Sequence, residues 1–148
     1  MLATSHRLMA ACGAVLLGAS PLQAVAAALG ATLPDRIEVV GLPHRGLSHW
    51  PWPWALAVWA TSVQPSPWGV LVAWWLAGAL FHIGADLFTV GGVPLFLPHR
   101  RVRCGMVHTG GVGEYVMVVL LMVAACLYVL DIPLIQGARS WPGGEVLP

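Results

Sequence analysis

An all-α fold, a polytopic bundle of membrane helices built from two helical hairpins and a fifth helix, is predicted by three features of this sequence. Hydrophobic residues fill 58% of the 148 positions and charged residues only 9%, far more apolar than an ordinary soluble domain. No Asp, Glu, Lys or Arg occurs from Leu8 to Pro34, from Gly46 to Ala85 or from Tyr115 to Leu130. Each stretch has room for a membrane helix, and the first two for a hairpin, at ~20 residues per full span. Turn-forming residues fall where those hairpins need them, at Ser20-Pro21 and at the run QPSP at 64–67.

The elements follow in order. Residues 5–19 form the first helical segment, and residues 22–33 a shorter second one that stops at Pro34. Residues 50–63 and 68–90 repeat the pattern, and residues 112–131 form the fifth helix. Gly91-Gly92 with Pro94 and Pro98 breaks the chain after the fourth helix, so 93–97 is read as a re-entrant or interfacial loop. Several segments are shorter than a full span and call for tilt or local thinning. Trp50, Trp52, Trp54 and Trp68 suit anchoring at the membrane interface. Residues 1–135 are read as one membrane-embedded domain carrying the site, and 136–148 as a short tail. A rival reading takes His6-Arg7, the run LMAACGAVLLGA and PLQA as a secretory signal whose cleavage would remove His6.

Charge sets the orientation. All seven basic residues are Arg, and Arg7, Arg36, Arg45, Arg100, Arg101 and Arg103 fall at the edge to which the hairpins return. Only Arg139 lies beyond the last helix, so the positive-inside rule turns the polar edge to the cytoplasm. Cys12, Cys104 and Cys126 are odd in number and widely spaced, which suggests packing rather than a disulfide framework. With no lysine and its arginines committed to orientation, the chain shows no nucleic-acid binding pattern.

The same edge collects the chemistry. His82 and Asp86 stand four residues apart, one turn on one helical face, within the most apolar run of the chain. Ionisable groups in a membrane helix mark a functional site by default. Asp35, Glu38, Asp86 and Glu114 gather there with the histidines, and imidazole and carboxylate together suit zinc, manganese, iron or nickel, with zinc expected first and manganese next. The block PHRGLSHW adds His44 and His49, with Gly46 allowing a turn and Ser48 placed to cap the next helix. Each residue also has a plainer reading. The plainer reading of His82 with Asp86 is a hydrogen-bonded pair that holds helices together. His44 and His49 suit the interface, Asp35 a helix stop, and Glu114 a helix N-terminus. His99 and His108 read as solvated loop residues, and Arg100, Arg101 and Arg103 as the topology signal or an anion-binding patch.

His6, Leu33-Pro34-Asp35, the block HRGLSH at 44–49, the His82–Asp86 pair and Gly92-Val-Pro-Leu with Pro98 together resemble the bacterial membrane-bound metal-dependent hydrolases of the YdjM-like, LexA-binding inner-membrane-associated group. That group is distantly similar to zinc-dependent phospholipase C and P1 nuclease. The resemblance, over about residues 4–120, implies His6, Asp35, His44, His49, His82 and Asp86 as metal ligands. Asp35, Glu38 or Glu114 would act as general base, and Arg45, Arg100 and Arg101 would hold an anionic group. Ile37 replaces a second Asp common in relatives, and Gly110 stands where the distant zinc enzymes carry a His. One or two metals are therefore expected rather than three. The expected activity is hydrolysis of a phosphoester or lipid-like substrate at the cytoplasmic face of the inner membrane, with lipids as neighbours. The alternative is a non-catalytic membrane protein whose metal is structural or docks a cytoplasmic protein partner. A metal transporter would instead place its ligands near the bilayer midplane.

Overall fold

Residues 1–38, 46–64 and 66–130 are described by the structure, a computed structural model. In chain order they form α1 (Ala3–Leu16), α2 (Pro21–Gly30), α3 (Leu33–Glu38), a 3-10 turn (Leu47–His49), α4 (Pro51–Ser62), α5 (Pro67–Leu87), β1 (Val93–Pro94), β2 (Arg101–Val102) and α6 (Val112–Val129). His44, Arg45, Arg139 and the 136–148 tail lie outside the described residues.

Local chemistry sets the helix ends. α1 closes in a Schellman motif: Gly18 takes φ +84°, its N–H donates to Val15 O at 2.9 Å, and Ala19 N–H donates to Ala14 O at 3.0 Å. Ser20 and Gln23 then form a reciprocal capping box around the start of α2, with Pro21 in its first turn. At the start of α5, Ser66 Oγ accepts the Gly69 N–H at 3.0 Å and Pro67 again occupies the first turn. Both predicted hairpin turns are therefore present as helix caps.

Three expectations are corrected. The second segment does not run on to Pro34. It ends at Gly30, and Pro34 sits in the first turn of a separate helix, α3, where its missing N–H costs nothing. The segment at 93–97 is not a simple re-entrant loop, because Val93 and Pro94 pair antiparallel with Val102 and Arg101. Gly92, just before β1, takes φ +61°, and a Cβ there would press on Val102 O. Ser48 does not cap α4; Trp50 holds the cap position with no side-chain cap bond, and Ser48 Oγ donates to Glu38 Oε1 at 2.8 Å.

α5 is the hub of the packing and touches α1, α2, α3, α4 and β1. Its crossing with α2 is close because glycines face backbone: a Cβ on Gly78 would collide with Ala27 O, and one on Gly30 with Trp75 O. The buried interior is largely alanine, including Ala10, Ala14, Ala27, Ala31 and Ala79, all at 0% exposure. Small residues at helix contacts let backbones approach closely and gain dispersion energy, a pattern shared with membrane helices. Large apolar side chains point outward instead, among them Val112, Trp68 and Leu17 at 70–79% exposure. α5 and α6 are long and apolar enough to cross a membrane, and only 17% of the α6 window is buried. α1, at 14 residues, extends about 21 Å and is short for a full crossing.

Widening the α2–α5 crossing should cost stability. Gly78→Leu is expected to lower the melting temperature in detergent by overpacking worth about 1–3 kcal/mol. Gly84→Ala, whose Cβ meets nothing within 4 Å, should leave it unchanged or raise it.

Candidate metal centre

Four segments deliver the site. α1 brings His6, α3 brings Asp35 and Glu38, the 3-10 turn brings Ser48 and His49, and α5 brings His82 and Asp86. His6, His49, His82 and Asp86 are each at most 2% exposed, whereas the Asp35 side chain is 45% exposed. The 3-10 turn explains how His49 reaches the interior from a loop: it ends the turn, and the chain leaves it extended at Trp50 before α4 begins.

The neighbours of each imidazole fix which nitrogen carries the proton. His82 Nδ1 lies 2.7 Å from the carbonyl of Ala31, which can only accept, so Nδ1 donates and Nε2 of the neutral ring presents a lone pair. His49 Nδ1 lies 2.9 Å from the carboxylate of Glu38, itself held by Ser48 Oγ, and the same reasoning leaves His49 Nε2 as an acceptor. These two Nε2 atoms stand 3.1 Å apart. Asp35 Oδ1 lies 3.5 Å from His82 Nε2 and 3.6 Å from His49 Nε2, and Asp86 Oδ2 lies 3.7 Å from both.

Two imidazole nitrogens and two carboxylate oxygens thus lie close to one another. Donors of these kinds suit a divalent cation. The spacing suits one, since four ligands at ~2.0–2.1 Å in a tetrahedron stand about 3.3–3.4 Å apart. His6 extends the cluster. Its ring stacks on His82 at 3.6 Å between centroids, its Nε2 lies 3.1 Å from Asp86 Oδ1, and its buried Nδ1 has no hydrogen-bond partner. Two overlapping groups, His6–His82–Asp86 and Asp35–His49–His82, can each hold a metal ion, and they share His82. The amino group of Met1 also contacts Asp86 Oδ1, at 3.0 Å.

The remaining candidates lie elsewhere. Glu38 is engaged with Ser48 and His49, so it orients a ligand. Glu114 is fully buried at the start of α6, and its oxygens accept the backbone N–H groups of Leu2 at 2.7 Å and Gly110 at 2.8 Å. It fastens the beginning of α1 to α6 and belongs to neither candidate ligand group. Arg100 and Arg101 are exposed at the second arm of the β-hairpin, whose first strand packs against the 3-10 turn. His99 and His108 are exposed. His44 and Arg45 fall outside the described residues.

Sequence reasoning missed the Ala31 carbonyl, which carries no signature because any residue offers one. It also missed the role of Ser48, although a hydroxyl beside His49 was in plain view. The α1 packing against α2, α5 and α6 places His6, the residue a signal cleavage would remove, on its buried face. No family model, curated protein or solved structure matches the chain.

Removing the partner that fixes His49 should weaken metal binding without removing a ligand. Glu38→Ala is expected to lower zinc affinity about 10–100-fold in competition with a chromophoric chelator. His82→Ala should abolish binding, and equal affinity in all three proteins would contradict this arrangement.

Proposed function

We propose that this chain is a membrane-bound metal-dependent hydrolase acting on a phosphoester or lipid-like substrate at the cytoplasmic face of the bacterial inner membrane, in the manner of the YdjM-like group it resembles. The observation that carries the reading is the clustering of His6, His82 and Asp86 and of Asp35, His49 and His82, two overlapping groups at metal-ligand spacing that share His82. Mixed imidazole and carboxylate donors favour zinc, with manganese second. A divalent ion held by these residues supplies Lewis acidity for a phosphoryl oxygen and makes water more acidic.

The chain's own groups do the rest. Asp35 is the one member of the cluster with an open face, its side chain 45% exposed. Its second oxygen accepts the proton of the attacking water. The buried His6, His49 and His82 wall the other side, and Ala31 and Glu38 hold two of those rings in the binding tautomer. Arg100 and Arg101 draw an anionic group toward that end of the bundle. The exposed Asp35 also favours catalysis over a purely structural or partner-docking ion, since a structural site is closed by protein ligands. α5 and α6 serve as full spans, and α1, α2 and α4 as short tilted or interfacial elements of a multi-pass protein.

Metal content and turnover test this reading together. Detergent-purified protein should carry stoichiometric zinc or manganese by mass spectrometry and hydrolyse model phosphoesters, with activity lost on chelation and restored by metal. Asp35→Asn should lower kcat by about 10²–10⁴. Metal-free wild type that stays metal-free after reconstitution would remove the hydrolase reading.

Sidedness has its own test. Cys104 is exposed in the segment after β2, and Cys12 and Cys126 can be changed to Ser. An impermeant maleimide is expected to label Cys104 in inside-out vesicles and not in intact spheroplasts. The reverse pattern would place the centre on the outer side.

A further inference from the structure

An apolar groove of about 820 Å³ is walled by Met9 and Gly13 of α1 with Leu17 just past its end, and by Val58 and Ser62 of α4, and Leu121 of α6 also lines it. α5 forms its floor. Small residues make the floor deep: Ala73, Ala77 and Gly84 line it, and a Cβ on Gly84 would meet only open space. No charged side chain lines it. Its floor reaches from Val70 to Phe88, about 27 Å at ~1.5 Å per residue, so it is nearly as long as the ~30 Å hydrocarbon core and longer than one leaflet.

One end of the groove lies at the level of the metal centre along α1 and α5. Met9 lies a turn beyond His6 on α1, and Ala85 precedes Asp86 on α5. That end is also the positive one. Cys104 N–H donates to Leu87 O at 2.9 Å and Met106 N–H to Phe88 O at 3.0 Å, which ties the segment carrying exposed Arg101 and Arg103 to the groove's lip. Arg103 Nη1 donates to Val90 O at 3.1 Å, and exposed Arg7 stands beside His6 on α1. An uncharged trough of membrane depth under a rim of arginines is complementary to a hydrocarbon tail with an anionic head group.

We infer that the groove between α1 and α4 holds one acyl chain of an anionic membrane phospholipid and thereby presents its phosphate to the histidine–aspartate centre. The presentation of the phosphate rests on the hydrolase reading; the seat for the chain does not. The tail selects for substrates in the bilayer, and water-soluble phosphoesters bind without it and therefore more weakly.

Photocrosslinking tests the seat directly. The full chain is placed in nanodiscs of phosphatidylcholine and phosphatidylglycerol with a trace of phosphatidylglycerol bearing a diazirine in one acyl chain. After irradiation, adducts are mapped by mass spectrometry. They should concentrate on Leu17, Val58, Leu80 and Phe81. Gly84→Leu and, independently, Ala77→Leu should each lower that labelling about tenfold, a change of one decade in occupancy, with metal content unchanged. Adducts spread over the outer face of α6 and insensitive to both substitutions would overturn the proposal, as would groove residues crosslinked to a second copy of the chain. Equal labelling by a diazirine phosphatidylcholine would overturn the anionic assignment. The His82→Ala protein separates the two readings: groove labelling that persists there, with no hydrolysis by any variant, keeps the chain seat and removes the hydrolase.

Discussion

Lone pairs facing one another inside a protein are an electrostatic demand, and here the rest of the bundle is arranged around it. The carbonyl of Ala31 and the carboxylate of Glu38 each claim a proton from the far side of an imidazole, and in doing so turn the near side of both rings into acceptors aimed at Asp35 and Asp86. Either ring changes tautomer only by leaving the acceptor on its far side, the Ala31 carbonyl for His82 and the Glu38 carboxylate for His49. Positive charge is the remaining remedy. Burial sharpens the demand, since His49, His82 and Asp86 are withdrawn from water and a low-dielectric setting weakens every other form of screening.

That arrangement depends on how closely α2 meets α5. Ala31 stands just past the end of α2, so its carbonyl reaches His82 only because Gly30 and Gly78 let two backbones touch. The same economy of side-chain volume runs through the interior, which is alanine and glycine where a soluble core would hold leucine and isoleucine. The large apolar side chains go to the outside and to the walls of the groove between α1 and α4.

Much of this was legible in the sequence because charge is so scarce. A histidine and an aspartate one turn apart in an apolar helix cannot be hidden by background, and the Ser-Pro turns announce both hairpins. His6, Asp35 and His49 were suggested by resemblance to a family rather than by spacing, because they come from segments that meet only in three dimensions. Helix α3 was not legible, since a proline reads equally as the stop of one helix or the first turn of another, and only the bond pattern around Thr32 and Leu29 decides. The β1–β2 pairing escaped for a related reason: two-residue strands leave no alternation to detect. Glu114 was read as chemistry because acidic residues are scarce in this chain and it falls at the edge that collects the histidines. Its oxygens are in fact occupied by the N–H groups of Leu2 and Gly110, and no sequence pattern announces a side chain that holds the backbone of a distant helix.

The order in which the parts are made gives the Glu114 contact a further meaning. Every donor of the centre, from His6 to Asp86, lies upstream of α6, and α6 packs chiefly on α1. During synthesis the metal-binding half is therefore complete in the ribosome's output before the last helix emerges. Glu114 then arrives as a latch, closing over the beginning of α1 and locking His6 in register with residues translated long before it.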